Sequence, residues 1–292
     1  MAVNKPRVNL VIRDEFTSAS LNDFSTAKDT VHLYYEGKDK NVNMDLEEIE
    51  DTIGHKIHPL VFDLYKIAFS AYMVDLLFRR PEKTGGRTLS ILVSVSDKSK
   101  WESQNQSLRA TFRLLTGDNF NFHFIQGIRP EKEYEYVEKS RKVVSLFSGG
   151  LDSLSGVKHL LDNNKDPILI SHCIQNLVCH IQSTLSELID KALTKRIEFH
   201  QISARQVPGK GLAQSEISQK SRSFLFLSIA SIFALELGIR DIYLFENGVL
   251  AMNLPIVESR SFNNTKTAHP DFLNQFNTCL LYTSPSPRDR QK

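Results

Sequence analysis

Val143-Val144-Ser145-Leu146-Phe147-Ser148-Gly149-Gly150-Leu151-Asp152-Ser153 is the stretch on which the fold turns. A β-branched apolar run ends in two glycines, and Leu154, Val157, Leu160 and Leu161 then recur at helical spacing. This is the pattern of a strand that turns sharply into a helix. Such a turn brings backbone N–H groups and a helix N-terminus to one point, which suits phosphate. Gly149 and Gly150 allow the backbone to approach an anion and to visit positive φ without a Cβ clash. Ser148 and Ser153 add hydroxyl donors. Asp152 is unsuited to facing phosphate directly, so it implies a bound cation or a helix cap. The chain contains no G-x-x-x-x-G-K-S/T string, and Leu146–Gly150 lacks the G-x-S-x-G frame of a nucleophile elbow. The competing reading is a plain Gly-Gly turn between strand and helix.

Downstream of this turn, strands and helices alternate. Strand Lys142–Phe147 precedes helix Leu151–Leu161, and strand Pro167–His172 precedes helix Leu177–Leu193, whose Ile181, Leu185, Leu188 and Ile189 share a face. Strand Ile197–Ser203 precedes helix Ile217–Leu237, and Asp241–Phe245 is a further strand. Near-continuous apolar strands alternating with helices predict an α/β fold, a doubly wound parallel sheet. Ligands of such sheets sit beyond the carboxyl ends of the strands. Topology therefore predicts that the loops Ser148–Ser153, Ser171–Cys173 and Glu246–Gly248 converge.

Upstream, Arg129-Pro130-Glu131-Lys132-Glu133 marks a break, giving domains at 1–138 and 139–278. The first reads as a smaller α+β domain. Its expected elements are strands Val8–Arg13 and His32–Glu36, a long helix Ile57–Leu77 with its apolar residues largely on one face, strand Thr88–Val95, helix Asp97–Leu115 and strand Phe120–Ile125. Trp101 falls among the apolar residues of its helix and is expected in the core. Thr84-Gly85-Gly86-Arg87-Thr88 precedes a strand instead of a helix, so it reads as a turn.

Apolar content of 41% and charged content of 24% are those of a soluble globular protein, with no run long enough to span a membrane and no secretory leader. Three cysteines without an even framework of spacings suit a reducing cytoplasm. The segment 279–292, Cys279 to Lys292, shows neither strand nor helix periodicity, and Cys279–Asp289 resembles a translated sequencing adapter. It is taken as a non-native tail on an incomplete second domain. Phe262, Phe272, Leu273 and Phe276 are then expected to lack packing partners and the 292-residue chain to aggregate. The chain has 36 basic and 34 acidic residues, and leaving out Arg288, Arg290, Lys292 and Asp289 brings the two into balance. Balanced charge offers no electrostatic case for nucleic acid or an anionic membrane.

Other residues gain meaning from the fold. Arg222, in the first turns of its helix, is either a fork for phosphate oxygens or a solvated surface arginine. Glu246-Asn247-Gly248 is either part of the crevice rim or an ordinary turn. Asn253, Pro255, Arg260, Thr265, Thr267, His269 and Pro270 read singly as loop residues. The pairs His172-Cys173 and Cys179-His180 could be written as a zinc site. Their placement after a strand and within a helix favours buried structural thiols instead.

Together these residues resemble the PP-loop ATP pyrophosphatases, whose motif is SGGxDS at the end of the first strand of a HUP-like, adenine nucleotide α-hydrolase type domain. The Arg222-Ser223 helix, Glu246-Asn247-Gly248…Asn253-Leu254-Pro255, Arg260 and Thr267-Ala268-His269-Pro270 are similar to the QueC-like branch, specifically its QatC members in Qat anti-phage defence systems. Leu114-Leu115-Thr116-Gly117-Asp118 also looks like that family's N-terminal portion. The resemblance implies an ATP- and Mg²⁺-dependent C–N ligase of the 7-cyano-7-deazaguanine synthase type. It would adenylate a carboxylate of the 7-deazaguanine class, as in queuosine-related chemistry, for amide or nitrile formation. Ser148, Gly149, Gly150, Ser153 and His172 would bind nucleotide, Asp152 would act through Mg²⁺, and Arg222 would steady the pyrophosphate. Glu246, Asn247, Asn253, Arg260 and His269 would meet the substrate. Other defence-system proteins are the implied partners. The family's four-cysteine zinc site has no counterpart here, so zinc is unsupported. A non-catalytic ATP-binding subunit of a defence complex is the alternative, motivated by the unassigned N-terminal region.

Overall fold

The computed structural model describes residues 7–14, 16–17, 21–81, 86–128, 136–193, 196–248 and 266–283. Among the described residues ten strands are seen: β1 (Arg7–Arg13), β2 (Ser25–Tyr34), β3 (Val42–Asn43), β4 (Thr88–Val95), β5 (Asn119–Gln126), β6 (Val143–Leu146), β7 (Pro167–His172), β8 (Glu198–Ile202), β9 (Arg205–Gln206) and β10 (Ile242–Tyr243). The helices are α1 (Leu46–Ile53), α2 (Pro59–Leu77), α3 (Lys98–Thr116), α4 (Leu151–Asp162), α5 (Asn176–Leu193), α6 (Arg222–Glu236) and α7 (Pro270–Thr283).

The fold is α/β with parallel sheets. One sheet has the order β2-β1-β4-β5 and the other β10-β6-β7-β8, every neighbouring pair parallel. The N-terminal half is therefore not α+β: its strands are joined by crossovers into a parallel sheet. The sequence pattern misled because polar residues share the outer face of that sheet. Asn9 Oδ1, for example, accepts from the Ser90 backbone N–H at 2.8 Å, and Asn121 Nδ2 donates to Ser90 Oγ.

Helix α2 packs on β1 and β4, helix α6 packs on β6, β7 and β10, and the two helices pack on each other. A helix between two sheets must be apolar all round. Accordingly α2 is buried from Leu60 to Leu76 apart from the half-buried Phe62, so its apolar residues are not confined to one face. One buried cluster runs from Leu10 and Ile91 through Leu64 and Phe69 to Ile229, Val144 and Ile170, joining both halves. Two short strands stitch them further, β3 pairing antiparallel with β9. Trp101 is buried as expected, and its Nε1 donates to Asp63 Oδ2 at 3.0 Å. Gly86, the described part of the Gly-Gly turn, lies so close to Gly117 that a Cβ would sit 1.9 Å from its carbonyl oxygen. Tight chain packing accounts for that glycine.

Three further expectations are corrected. Helix α7 runs through Cys279 to Thr283, and Phe272, Phe276 and Cys279 are buried in the shared core. Phe276 meets Phe224 edge-on at 5.0 Å, and α7 packs along α3. Phe272, Leu273 and Phe276 therefore have partners, drawn from both halves. Phe262 lies outside the described residues. In α5, Ile181 and Leu188 face solvent while Gln182 and Ser186 are buried, so the buried stripe is rotated from the apolar one. Finally, Cys173 and Cys179 are joined in a disulfide with their Cα atoms 5.2 Å apart. The end of β7 and the first turn of α5 meet there, so these are not free structural thiols. The bond also removes the support that cysteine usage lent to a reducing compartment. Among the described residues no helix is long and apolar enough to cross a membrane.

Candidate functional site

In the second sheet the strand order reverses between β6 and β10, so a crevice opens beyond their carboxyl ends. A cavity of about 530 Å³ lies there, lined by Ser148 and Ser153 after β6, Lys220, Arg222 and Ser223 at the start of α6, and Glu246 after β10. Residues from three distant stretches of sequence thus share one space. Ile217, 92% exposed, and Phe226 add an apolar wall.

The Ser148–Ser153 turn is held by its own hydrogen bonds. Ser153 Oγ donates to the Gly150 carbonyl at 2.8 Å, Ser148 Oγ donates to Ser153 Oγ at 3.2 Å, and the Gly150 N–H donates to Ser148 Oγ. Gly149 has φ 81°, which disfavours any side chain, and a Cβ there would meet Gln182 Cγ at 3.1 Å. Gly150 caps α4 with no side-chain hydrogen bond, leaving the first-turn amides and their partial positive charge at the crevice mouth. The buried Gln182 explains the rotated stripe of α5. Its Nε2 donates to the Ser148 carbonyl at 3.1 Å, and its Oε1 accepts from Gln201. Sequence reading missed Gln182, because a glutamine on an amphipathic helix looks like a solvent residue.

Asp152 and Glu246 come close enough to interact. Loss of water raises the Glu246 carboxyl pKa although the residue as a whole is exposed, and the Asp152 charge raises it further. Mg²⁺ takes one or two carboxylates and completes its shell with water and phosphate oxygens, and Asp152 in the first turn of α4 and Glu246 after β10 supply that donor type. The residues present therefore fit the ion that the resemblance implied. Asn247 is exposed beside Glu246.

Arg222 is the first residue of α6, half-buried, after an extended segment that the sequence had assigned to the helix. That segment is strapped across the end of α2. The Ser215 and Glu216 N–H groups both donate to the Leu76 carbonyl at 3.0 Å, and Glu216 Oε2 accepts from the Arg80 N–H at 2.8 Å. Against the burial that would raise it, the Ser218 and Arg80 backbone N–H groups bring the Glu216 pKa down to about 2. Beneath the strap, Asp75 Oδ2 accepts from Ser221 N–H at 3.1 Å and Ser221 Oγ at 2.8 Å. Asp75 Oδ1 binds Arg80 at 2.7 Å and also Arg87, and Asp118 binds the same two arginines at 2.8 and 2.5 Å. All four side chains are at most 9% exposed. This network was not read from the sequence; an Asp75 lying within an apolar helix was the available signal. Lys220, also missed, lines the crevice beside Arg222, and burial lowers its pKa with help from Arg80.

His172 does not line the cavity. It is fully buried beneath it, Nε2 donating to the Ala204 carbonyl at 2.9 Å, with Tyr72 edge-on at 5.8 Å. Burial lowers its pKa to about 4, Arg222 pushing the same way, so the ring is neutral. His269 sits at the start of α7, its Nδ1 accepting from the Asp271 N–H at 3.2 Å, while Thr267 reaches the crevice and shares a 2.8 Å hydrogen bond with Ser223. Asn253 and Arg260, with Pro255 and Thr265, lie outside the described residues.

The state of His172 has a pH consequence. Its folded pKa near 4 lies below the unfolded value of 6.5, so below pH 6.5 the unfolded chain takes up the proton first. Stability conferred by the neutral ring is complete above pH 6.5 and is lost as pH falls toward 4, amounting to about 3 kcal/mol. Urea midpoints at pH 7 and pH 4 should show that His172→Gln loses about 3 kcal/mol less than wild type over this interval. Equal losses would mean that the ring is accessible to protons in the native state.

No protein-family model matches the chain, and no curated protein or solved structure matches it.

Proposed function

We propose that this protein is an ATP-dependent adenylating enzyme of the QueC-like PP-loop kind, acting on a small-molecule carboxylate of the 7-deazaguanine class, in bacterial defence and alongside other proteins of that system. The observation that carries the reading is the convergence of Ser148, Ser153, Arg222, Lys220 and Glu246 on one crevice at the switch point, with Asp152 near enough for its charge to act on Glu246. A carboxylate is a poor acyl donor because an oxide-like oxygen would have to leave. Attack of its oxygen on the α-phosphorus of ATP forms a P–O bond, breaks the bond to the β-phosphate oxygen and expels pyrophosphate. An amine then attacks the acyl carbon, and AMP departs with the electron pair.

The protein's part is to hold two anions together and to neutralise charge as it develops on pyrophosphate. The first-turn amides of α4, Ser148 and Ser153 would receive phosphate oxygens, and Arg222 and Lys220, which line the same crevice, would add positive charge. Mg²⁺ held by Asp152 and Glu246 would supply further charge neutralisation when bound. The alternative of a binding subunit rested on an N-terminal half without a role. Asp75 gives that half a use, since it orders the strap that leads into Arg222.

Incubation with Mg-ATP and a panel of deazapurine and other heteroaromatic carboxylates should release pyrophosphate in a carboxylate-dependent way. Turnover only to ADP and phosphate would sink the assignment. Asp152→Asn should abolish pyrophosphate release while nucleotide still binds; a pure binding subunit would show no release in either protein.

A further inference from the structure

A larger cavity lies elsewhere. In the N-terminal sheet the strand order also reverses, between β1 and β4, and a cavity of about 740 Å³ opens beyond the carboxyl ends of those strands. Parallel sheets bind ligands at this kind of place, and the volume falls in the range of small-molecule sites. Its walls are Arg13 at the end of β1, Tyr34 and Tyr35 at the end of β2, Ser94 in β4, and Phe62 and Lys66 from α2.

The polar groups differ in what they have left to offer. Lys66 Nζ donates to the Ser94 carbonyl at 2.6 Å and Ser94 Oγ at 3.2 Å, and lies 3.6 Å from Asp63 Oδ1. Asp63 in turn accepts from the Ser96 N–H and Oγ and from Trp101, so this pair is spent on holding the cavity wall. Asp14 is similarly committed, to the Phe16 and Thr17 N–H groups and to Ser94 Oγ. Arg13 is different. Its Nε donates to His32 Nδ1 at 3.0 Å, and its two Nη groups have no hydrogen-bond or ion-pair partner among the described residues. A histidine that accepts through Nδ1 is uncharged there, and burial together with Arg13 lowers its pKa. The arginine is thus oriented by a neutral partner, with its forked end available to an anion. Beside it is an aromatic wall, Tyr35 meeting Phe62 edge-on at 6.0 Å.

We propose that this cavity is a second ligand site, distinct from the crevice after β6, that binds a heteroaromatic anion of nucleoside-monophosphate size. The ring lies against Tyr35 and Phe62, and the phosphate takes the Nη fork of Arg13. The two sites are built on different sheets, so binding here stands whether or not the other crevice turns over ATP.

Calorimetric titration with AMP, GMP, CMP and UMP, and with adenosine and inorganic phosphate as controls, tests the site in three proteins: wild type, Arg13→Gln and Arg222→Ala. At least one monophosphate should bind in Arg222→Ala as in wild type, at least ten-fold weaker in Arg13→Gln, and at least ten-fold more tightly than adenosine or phosphate alone. Phe62→Leu, which keeps an apolar side chain in α2, should weaken binding in parallel and serves as the reading if Arg13→Gln does not fold. Binding that survives Arg13→Gln and Phe62→Leu, or that vanishes in Arg222→Ala, would place the ligand in the other crevice and overturn the proposal. Absence of binding by all four nucleotides would also overturn it.

Discussion

Asp75→Ala is expected to destabilise the protein by about 3–5 kcal/mol, the cost of breaking a buried ion pair while leaving its partners buried. Arg80 and Arg87, at side-chain exposures of 9% and 6%, would then share Asp118, with Glu216 3.8 Å from Arg80 as the other remaining carboxylate. A domain has only about 5–15 kcal/mol of stability, so the melting temperature should fall by roughly 10 °C or more. The cause can be separated from simple charge loss. Asp75→Asn retains an oxygen for the Ser221 N–H and hydroxyl, so it should lose less and keep the start of α6 in place. Added salt should not reproduce the effect, because buried pairs are poorly screened. A melting temperature for Asp75→Ala within 2 °C of wild type, roughly what 0.5–1 kcal/mol produces in a chain of this size, would show that the network is not a unit. A second effect is expected at the site. Ser221 is held only one residue before Arg222, so nucleotide affinity in Asp75→Ala should fall even at temperatures where the protein stays folded.

Arg222→Ala should reduce carboxylate-dependent pyrophosphate release by about 10²–10³-fold, the usual loss when one well-placed donor to developing charge is removed. Alanine is the best helix former and Arg222 is the first residue of α6, so the fold should persist. Arg222→Lys should not restore the rate fully, since a point charge cannot offer two parallel N–H groups. Single-turnover measurements would separate the contributions: the loss should fall on the chemical step more than on ATP binding, which the amides of α4 share. A rate within three-fold of wild type would move the burden to Lys220, which lines the same crevice. His172 offers an independent check, because removal of the Arg222 charge should raise its pKa from about 4.

Much of the second sheet was legible in local pattern. Pro167–His172 was bounded as found, and so was Thr88–Val95 of the first sheet, because apolar runs flanked by polar residues and turns leave little freedom of register. The Gly149 turn was legible for a different reason: positive φ is a demand that glycine alone meets easily, so it is written in the residue itself. Elements whose order comes from contact were not legible. β3 and β9 are two residues each and exist only because they pair with each other across some 160 positions. Helix α1 could have been found from Met44, Ile49 and Ile53 with Gly54 at its end, but its short length hid it.

By itself, then, the sequence determined the alternation of strands and helices from β6 to β10, though not β9 or α7, that the strand after the break turns through glycines into a helix, and that Ser148, Asp152, Arg222 and Glu246 belong near strand or helix ends. These follow from side-chain periodicity and backbone sterics, which act over a few residues. Only the tertiary structure decided the rest. It made the N-terminal strands parallel, buried His172 instead of exposing it, joined Cys173 to Cys179, and packed α7 along α3 with Phe276 against Phe224 of α6. It also set Asp75 under Ser221, 146 positions away in the chain. Burial and pairing of this kind depend on which surfaces meet, and a buried charge finds its partner through the packing of whole elements, not through neighbours in the chain.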